Sequence, residues 1–192
     1  MNAHSVTCYH LLTTNIPQTI ILPYQSAWPN KFQAEKEKLL DIFGDEALGI
    51  EHIGSTSIEG LSSKPIIDIV VMVENHQGAD MFAEDLTQIG YKFDSSSTER
   101  NYYVKGDPVE YHLSIAYADQ GGFWARQILF RDYYLRNHTE ARGEYAELKE
   151  SLLQKDPAGS DEYIGGKSNF VYKILSLAGW KEGQKYREAN CL

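Results

Sequence analysis

The run Ile66-Ile-Asp-Ile-Val-Val-Met-Val73 constrains this chain more than any other stretch. It is continuous, rich in β-branched residues and of strand length, which predicts an interior strand covered on both faces. Asp68 interrupts it. A carboxylate in such a strand is costly unless it is paired, hydrogen-bonded or bound to a cation. Unpaired aspartates are rarely fully buried, so Asp68 is the first candidate for function. Upstream, Gly54-Ser-Thr-Ser57 predicts a turn leading into a short helix over residues 56–61. Amides at that helix start, with the Ser55 and Ser57 hydroxyls, would cradle a phosphate. The same residue types also build ordinary turns and caps. Pro65 holds Lys64 at the strand entrance, where it would reach a phosphate, neutralise Asp68 or stay in water.

The rest of the chain reads as α+β. Residues 19–23 predict a short edge strand ended by Pro23, and 30–43 a helix. That helix is opened by Ser26 and Pro29 and stopped by Gly44, with Phe32, Leu39, Leu40 and Phe43 inward. Its Glu35-Lys-Glu-Lys38 run reads as the solvated face. A strand over 48–53 precedes the Gly-Ser turn. A helix over 75–89, with Met81, Phe82, Leu86 and Ile89 inward, follows the apolar strand. Strands over 91–94 and 100–104 flank a serine loop, and Gly106-Asp-Pro108 turns into a strand over 109–117. There Val109, Tyr111, Leu113, Ile115 and Tyr117 share one face, while Glu110, His112, Ser114 and Ala116 share the other. The second face would meet water or stand beside Asp68. Helices over 123–138, 140–155 and 161–178 make the last third helical, with Ser160 as an N-cap. The expectation is one domain over 20–180: a small mixed sheet, flanking helices and a helical C-terminal half. A loose N-terminal arm (1–19) and a polar tail (181–192) would flank it.

A net charge of −9 and a pI near 5.1 exclude the basic footprint of a general nucleic-acid backbone binder. They leave room for a local basic pocket. Cys8 and Cys191 have no metal-type spacing and read as free thiols. The first 30 residues lack the basic start of a signal peptide, and no apolar run is long enough to span a bilayer. A soluble, cytoplasmic protein without membrane contact is expected.

Several motifs together resemble the GrpB protein family. They are Tyr24-Gln-Ser-Ala-Trp-Pro29, Glu51-His-Ile-Gly-Ser-Thr-Ser57, Gly60-Leu61, Lys64-Pro-Ile-Ile-Asp-Ile69, Tyr111-His-Leu-Ser114, Phe130-Arg-Asp-Tyr133 and Tyr145-Ala-Glu-Leu-Lys149. The likeness runs from about Ile20 to Trp180. It implies the nucleotidyltransferase fold typified by DNA polymerase beta. Fusions of this domain to dephospho-coenzyme A kinase imply a link to coenzyme A metabolism.

The superfamily pattern pairs Gly-Ser with Asp-x-Asp on the next strand, plus a third carboxylate from a neighbouring strand. Such carboxylates hold Mg²⁺ for phosphoryl transfer. Twelve residues separate Ser55 from Asp68, which fits, but Val70 stands where the second carboxylate belongs. The resemblance implies Asp68 and Glu110 as catalytic metal ligands with His112 beside them. Gly54, Ser55, Thr56, Ser57, Lys64 and Arg100 would bind the phosphates of a nucleotide or another small phosphorylated ligand. Arg131 and Lys167 are further cations, Arg131 with Asp132 reading as a structural ion pair. A transition-metal site for Zn or Ni, built from His52, Asp68 and His112, is the alternative to Mg²⁺. No Gly-x-Ser-x-Gly elbow surrounds Ser57, so a hydrolase is not expected. Two functions remain: nucleotidyl transfer to an unknown acceptor, or a binding or interaction module that kept the fold and lost the chemistry.

Overall fold

Five strands form one mixed sheet in the order β1-β2-β5-β4-β3. They are β1 (Gly49–Ile53), β2 (Ile67–Val73), β3 (Tyr91–Ser96), β4 (Arg100–Gly106) and β5 (Val109–Tyr117). This is a computed structural model, and it describes residues 19–120 and 122–181. Both cysteines and, apart from Thr19 and Lys181, the expected arm and tail lie outside the described residues. β2 runs parallel to β5 and antiparallel to β1, so the apolar strand is interior, as its composition requires.

Side-chain alternation gives the sheet two unlike faces. On the first, Ile67, Ile69 and Val71 join Leu113 and Ile115 of β5 in the main core. It is covered by α1 (Trp28–Phe43) through Leu39 and Phe43, and by α2 (His76–Asp80) and α3 (Ala83–Gln88) through Ala79 and Leu86. The second face carries Asp68 and Val70 of β2 and His112, Ser114 and Ala116 of β5. It faces the helical half: α4 (Phe123–Ile128), a π-helical turn (Leu129–Leu135), α5 (Thr139–Lys155), α6 (Asp161–Gly166) and α7 (Ser168–Leu177). β5 follows its expected alternation, with Leu113 and Ile115 fully buried.

Several local expectations are corrected. Leu40 and Met81 point outward, 44% and 72% exposed. The helix over 75–89 is two short helices, the first capped by the Asn75 side chain on the Gly78 amide. The strand over 19–23 is a single bridge between Leu22 and Ser63. Ser26 does not cap α1; Ala27 precedes its first turn, and Pro29 supplies the preset φ. The 56–61 helix is only a 3₁₀ turn, Ser55–Ser57. Ser160 precedes α6, but the cap is Asp156, whose Oδ2 accepts from the Ser160 amide, the Ser160 hydroxyl and the Tyr163 amide. Glu35, expected in water, is buried because Lys105 of β4 reaches it at 2.5 Å and Lys38 at 2.9 Å. The 123–138 helix passes into π geometry, with the Arg136 amide bonded to the Arg131 carbonyl five residues back. No helix among the described residues is long and apolar enough to cross a membrane.

Candidate functional site

A cavity of about 490 Å³ lies between the second sheet face and the helical half. Its floor is the turn after β1 and the start of β2. Gly54 adopts φ 68°, and a Cβ there would collide with the Asp68 carboxylate, so glycine alone fits. Asp68 and His112 are register partners across the parallel β2–β5 pair, and Asp68 Oδ1 lies 2.8 Å from His112 Nδ1. Of the two placements the sequence left open for His112, water or Asp68, the structure has the second.

Three cations line the same cavity, Arg100, Lys167 and Arg126, the last paired with Glu99. Arg100 donates to the Ser114 hydroxyl at 2.5 Å and lies between the Tyr102 and Phe123 rings, 4.6 Å from each centroid. Lys167 sits over the Tyr163 ring at 4.2 Å. Burial, and then repulsion from Lys64, bring its ammonium down to about 8 against the pull of Asp68. Lys64 itself is not a lining residue; its ammonium also stands over the Tyr163 ring, at 4.5 Å. Gly54 and Ser55 line the cavity, while Thr56 and Ser57 turn into local bonds to the Ile66 and Gly54 carbonyls.

The two candidate metal sets are not assembled. Glu110 pairs with Lys31 at 3.2 Å and does not line the cavity. His52 packs at 4.9 Å on the Phe32 ring, and its Nε2 lies 3.0 Å from Thr56 Oγ1. Because the Thr56 hydroxyl gives its proton to Ile66, His52 Nε2 must be the donor and has no lone pair for a metal. Burial, reinforced by Arg131 and Arg136 against Asp68, brings His52 down to about 4, so the ring is neutral. Among the described residues, no group of three or more His, Cys, Asp or Glu side chains is arranged to hold a metal ion. Val70 is more than a missing ligand. It is fully buried with Ile53 and Ala116, under Phe123, Trp124 and Ile128. The position of a second carboxylate is an apolar plug, so the residues present do not fit a two-ion Mg²⁺ centre.

Arg131 serves architecture, as its pairing with Asp132 predicts. Two of its nitrogens hold Asp132, while Nη1 donates to Glu51 at 2.8 Å and to the His52 carbonyl at 2.6 Å. It thereby ties the π-helical turn to β1. Sequence reasoning noted Tyr145 and Lys149 in a family motif but gave neither a role. They lie four residues apart on α5, and Lys149 Nζ stands 3.1 Å from Ser55 Oγ while also donating to the Ser62 carbonyl. Tyr145 lines the same cavity as Ser55, whose hydroxyl favours its phenolate while burial opposes it. A lysine one turn beyond a tyrosine on a helix's inward stripe was the available signal.

A family model described as GrpB protein matches residues 18–177. The protein YqkA of Bacillus subtilis is 36% identical over 167 residues, which are 85% of this chain. The chain spans about half the length of that relative, 48%. A solved structure, the conserved protein GrpB from Enterococcus faecalis, aligns with a TM-score of 0.76 at 34% identity, covering 83% of this chain and 96% of that one. The GLD-2/RNP-8 complex aligns with a TM-score of 0.52 at 12% identity over 85% of this chain and 63% of that one, a likeness of fold alone. The mixed sheet with its helices is thus an arrangement shared with both of these structures.

Proposed function

The chain belongs to the GrpB family, and we propose that its cavity binds a small phosphorylated ligand of nucleotide type without two-metal transfer. The observation that carries this reading is the pairing of two buried-site cations with a plugged metal position. Arg100 and Lys167 line a cavity of about 490 Å³ in a chain of net charge −9. Local positive charge against that background favours an anion. Val70 leaves Asp68 as the lone β2 carboxylate, held by His112. Two metal ions need more oxygen ligands than that. Nucleotidyl transfer through one Mg²⁺ at Asp68 is the second reading, favoured by the Gly54-Ser55 to Asp68 spacing. Acidic charge and cysteines far apart in sequence support a cytoplasmic setting and no general nucleic-acid partner.

The test is thermal unfolding with ATP and with inorganic triphosphate, each with Mg²⁺ and with EDTA. At about 100 times Kd a ligand adds about 2.7 kcal/mol, a rise of roughly 5–10 °C for a chain this size. The rise should appear in EDTA and be largely lost in Lys167→Met and Arg100→Met. No rise with either triphosphate would sink the proposal. A rise seen only with Mg²⁺, and abolished by Asp68→Asn, would establish the metal-dependent reading instead.

A further inference from the structure

Ser55 and Tyr145 both line the cavity; Lys149 does not. Lys149 is 3% exposed and approaches Ser55 Oγ from behind, at 3.1 Å. An ammonium placed to bind an anion would line the cavity, as Lys167 does. Lys149 can reach a ligand only through the serine hydroxyl. Its other contacts are the Ser62 carbonyl, to which it donates, and the Tyr145 ring, 5.0 Å from its nitrogen. As an ammonium Lys149 donates to both Ser55 Oγ and the Ser62 carbonyl; as a neutral amine it keeps one N–H for Ser62 and turns its lone pair to the Ser55 proton.

We propose that Ser55 is a nucleophile, with Lys149 as its base and Tyr145 as proton donor, acting on an ester or thioester carried by an anionic ligand. The proposal rests on the binding reading above for the ligand's anionic end. No strand-to-helix elbow is needed, because Gly54 already sets the turn and the lysine replaces the histidine–carboxylate pair of a triad. Burial, and then the Lys167 charge, bring Lys149 down to about 8 despite Glu150, leaving a working fraction neutral. Burial raises the Tyr145 phenol, which stays protonated. Acyl rather than phosphoryl transfer matches the charge available. A tetrahedral oxyanion carries one negative charge, and Lys167, whose charge is felt at Lys149, can offset it. A transferring phosphoryl group carries more charge and is served by a pair of metal ions, for which Val70 leaves no second carboxylate.

The step balances without a further reagent. The Ser55 Oγ–C bond forms as its proton moves to Lys149 Nζ. The C–O or C–S bond to the leaving group breaks, and that group takes a proton from Tyr145, which Lys149 then restores. Water attacks the acyl-serine as its proton passes to Lys149; the Ser55 Oγ–C bond then breaks, Ser55 Oγ takes that proton back and the carboxylic acid leaves.

A fluorophosphonate probe tests this on the full chain, read by intact mass. The expected result is one adduct, mapped to Ser55 and absent in Ser55→Ala. Lys149→Met should slow labelling roughly 100-fold or more, the usual contribution of a base. Should that variant fail to fold, the pH dependence of labelling in the unaltered protein decides. The rate should climb to a plateau with a midpoint near 8, the value set at Lys149 by burial, Lys167 and Glu150. No adduct on folded protein, an adduct elsewhere, or a rate indifferent to both Lys149 and pH would overturn the proposal. Triphosphate stabilisation without an adduct would leave binding intact and reduce Ser55 to an anion contact, which also overturns it. Failure of binding and failure of nucleophilicity are read in separate assays.

Discussion

Val70→Asp rebuilds the superfamily's carboxylate pair on paper and should wreck the protein in practice. The valine is fully buried under Phe123 and Trp124, so its loss forfeits about 1.5–3 kcal/mol of burial. The new carboxyl would sit two residues from Asp68 on the same strand face, beside Glu51 on β1. Kept neutral there at pH 7, with its pKa raised by roughly 3 units, it would cost about 4 kcal/mol more. The sum, about 6 kcal/mol, approaches the whole stability of many domains. It corresponds to a fall of roughly 12–24 °C in Tm for a chain of this length. Val70→Ala, which only opens a void, should cost about 1–3 kcal/mol. Thermal and urea unfolding in EDTA and in excess Mg²⁺ measure both variants. If Val70→Asp matches the unaltered protein, or regains the lost Tm when Mg²⁺ is added, the plug is not closed and the argument against a two-ion centre fails.

Two further predictions concern pH. His52 is depressed from 6.5 to about 4, so its contribution is complete above about pH 6.5 and is lost as pH falls toward 4. His52→Gln should therefore flatten the stability profile across that window, by up to about 3 kcal/mol in urea titrations. For Glu35, burial alone would raise the carboxyl, but the hydrogen bonds from Lys105 and Lys38 hold it below its usual 4.5. Its contribution is complete above that value and fades below it. Lys105→Met, which leaves a buried charge with only the half-exposed Lys38, should cost about 3–5 kcal/mol at pH 7 and less in acid. An equal loss at both pH values would refute that pairing.

What could be read in the sequence was whatever depended on local period. β5 showed its two faces because alternation over nine residues leaves no other assignment. β2 showed its interior place by composition, and Gly44 and Gly54 marked a stop and a turn through their φ values. The meeting of Asp68 with His112 was open until the parallel register settled it. Glu35 was misread because the lysine that buries it arrives from β4, seventy residues away. Lys149 was given no role for the same reason: its partners Ser55 and Ser62 lie 94 and 87 residues upstream. The π-helical turn has no period of its own in the sequence, so it was taken for ordinary helix. Val70 was legible as an absent ligand but not as a plug, since Phe123 and Trp124 cover it only through tertiary packing.

The Arg131 bond to β1 has a counterpart. Lys36 of α1 donates to the Ile50 carbonyl at 3.0 Å, while Arg131 holds the carbonyl of His52, two residues on. Both acceptors belong to one edge strand and point the same way, and each is occupied by a cation from a different helix. An incoming strand from another molecule would have to displace both before it could pair. At the opposite edge, β3 carries a bulge between Phe93 and Ser95 that disrupts a straight template. Among the described residues the sheet thus meets incoming strands with charge at one margin and irregularity at the other, two features that act against edge-to-edge pairing.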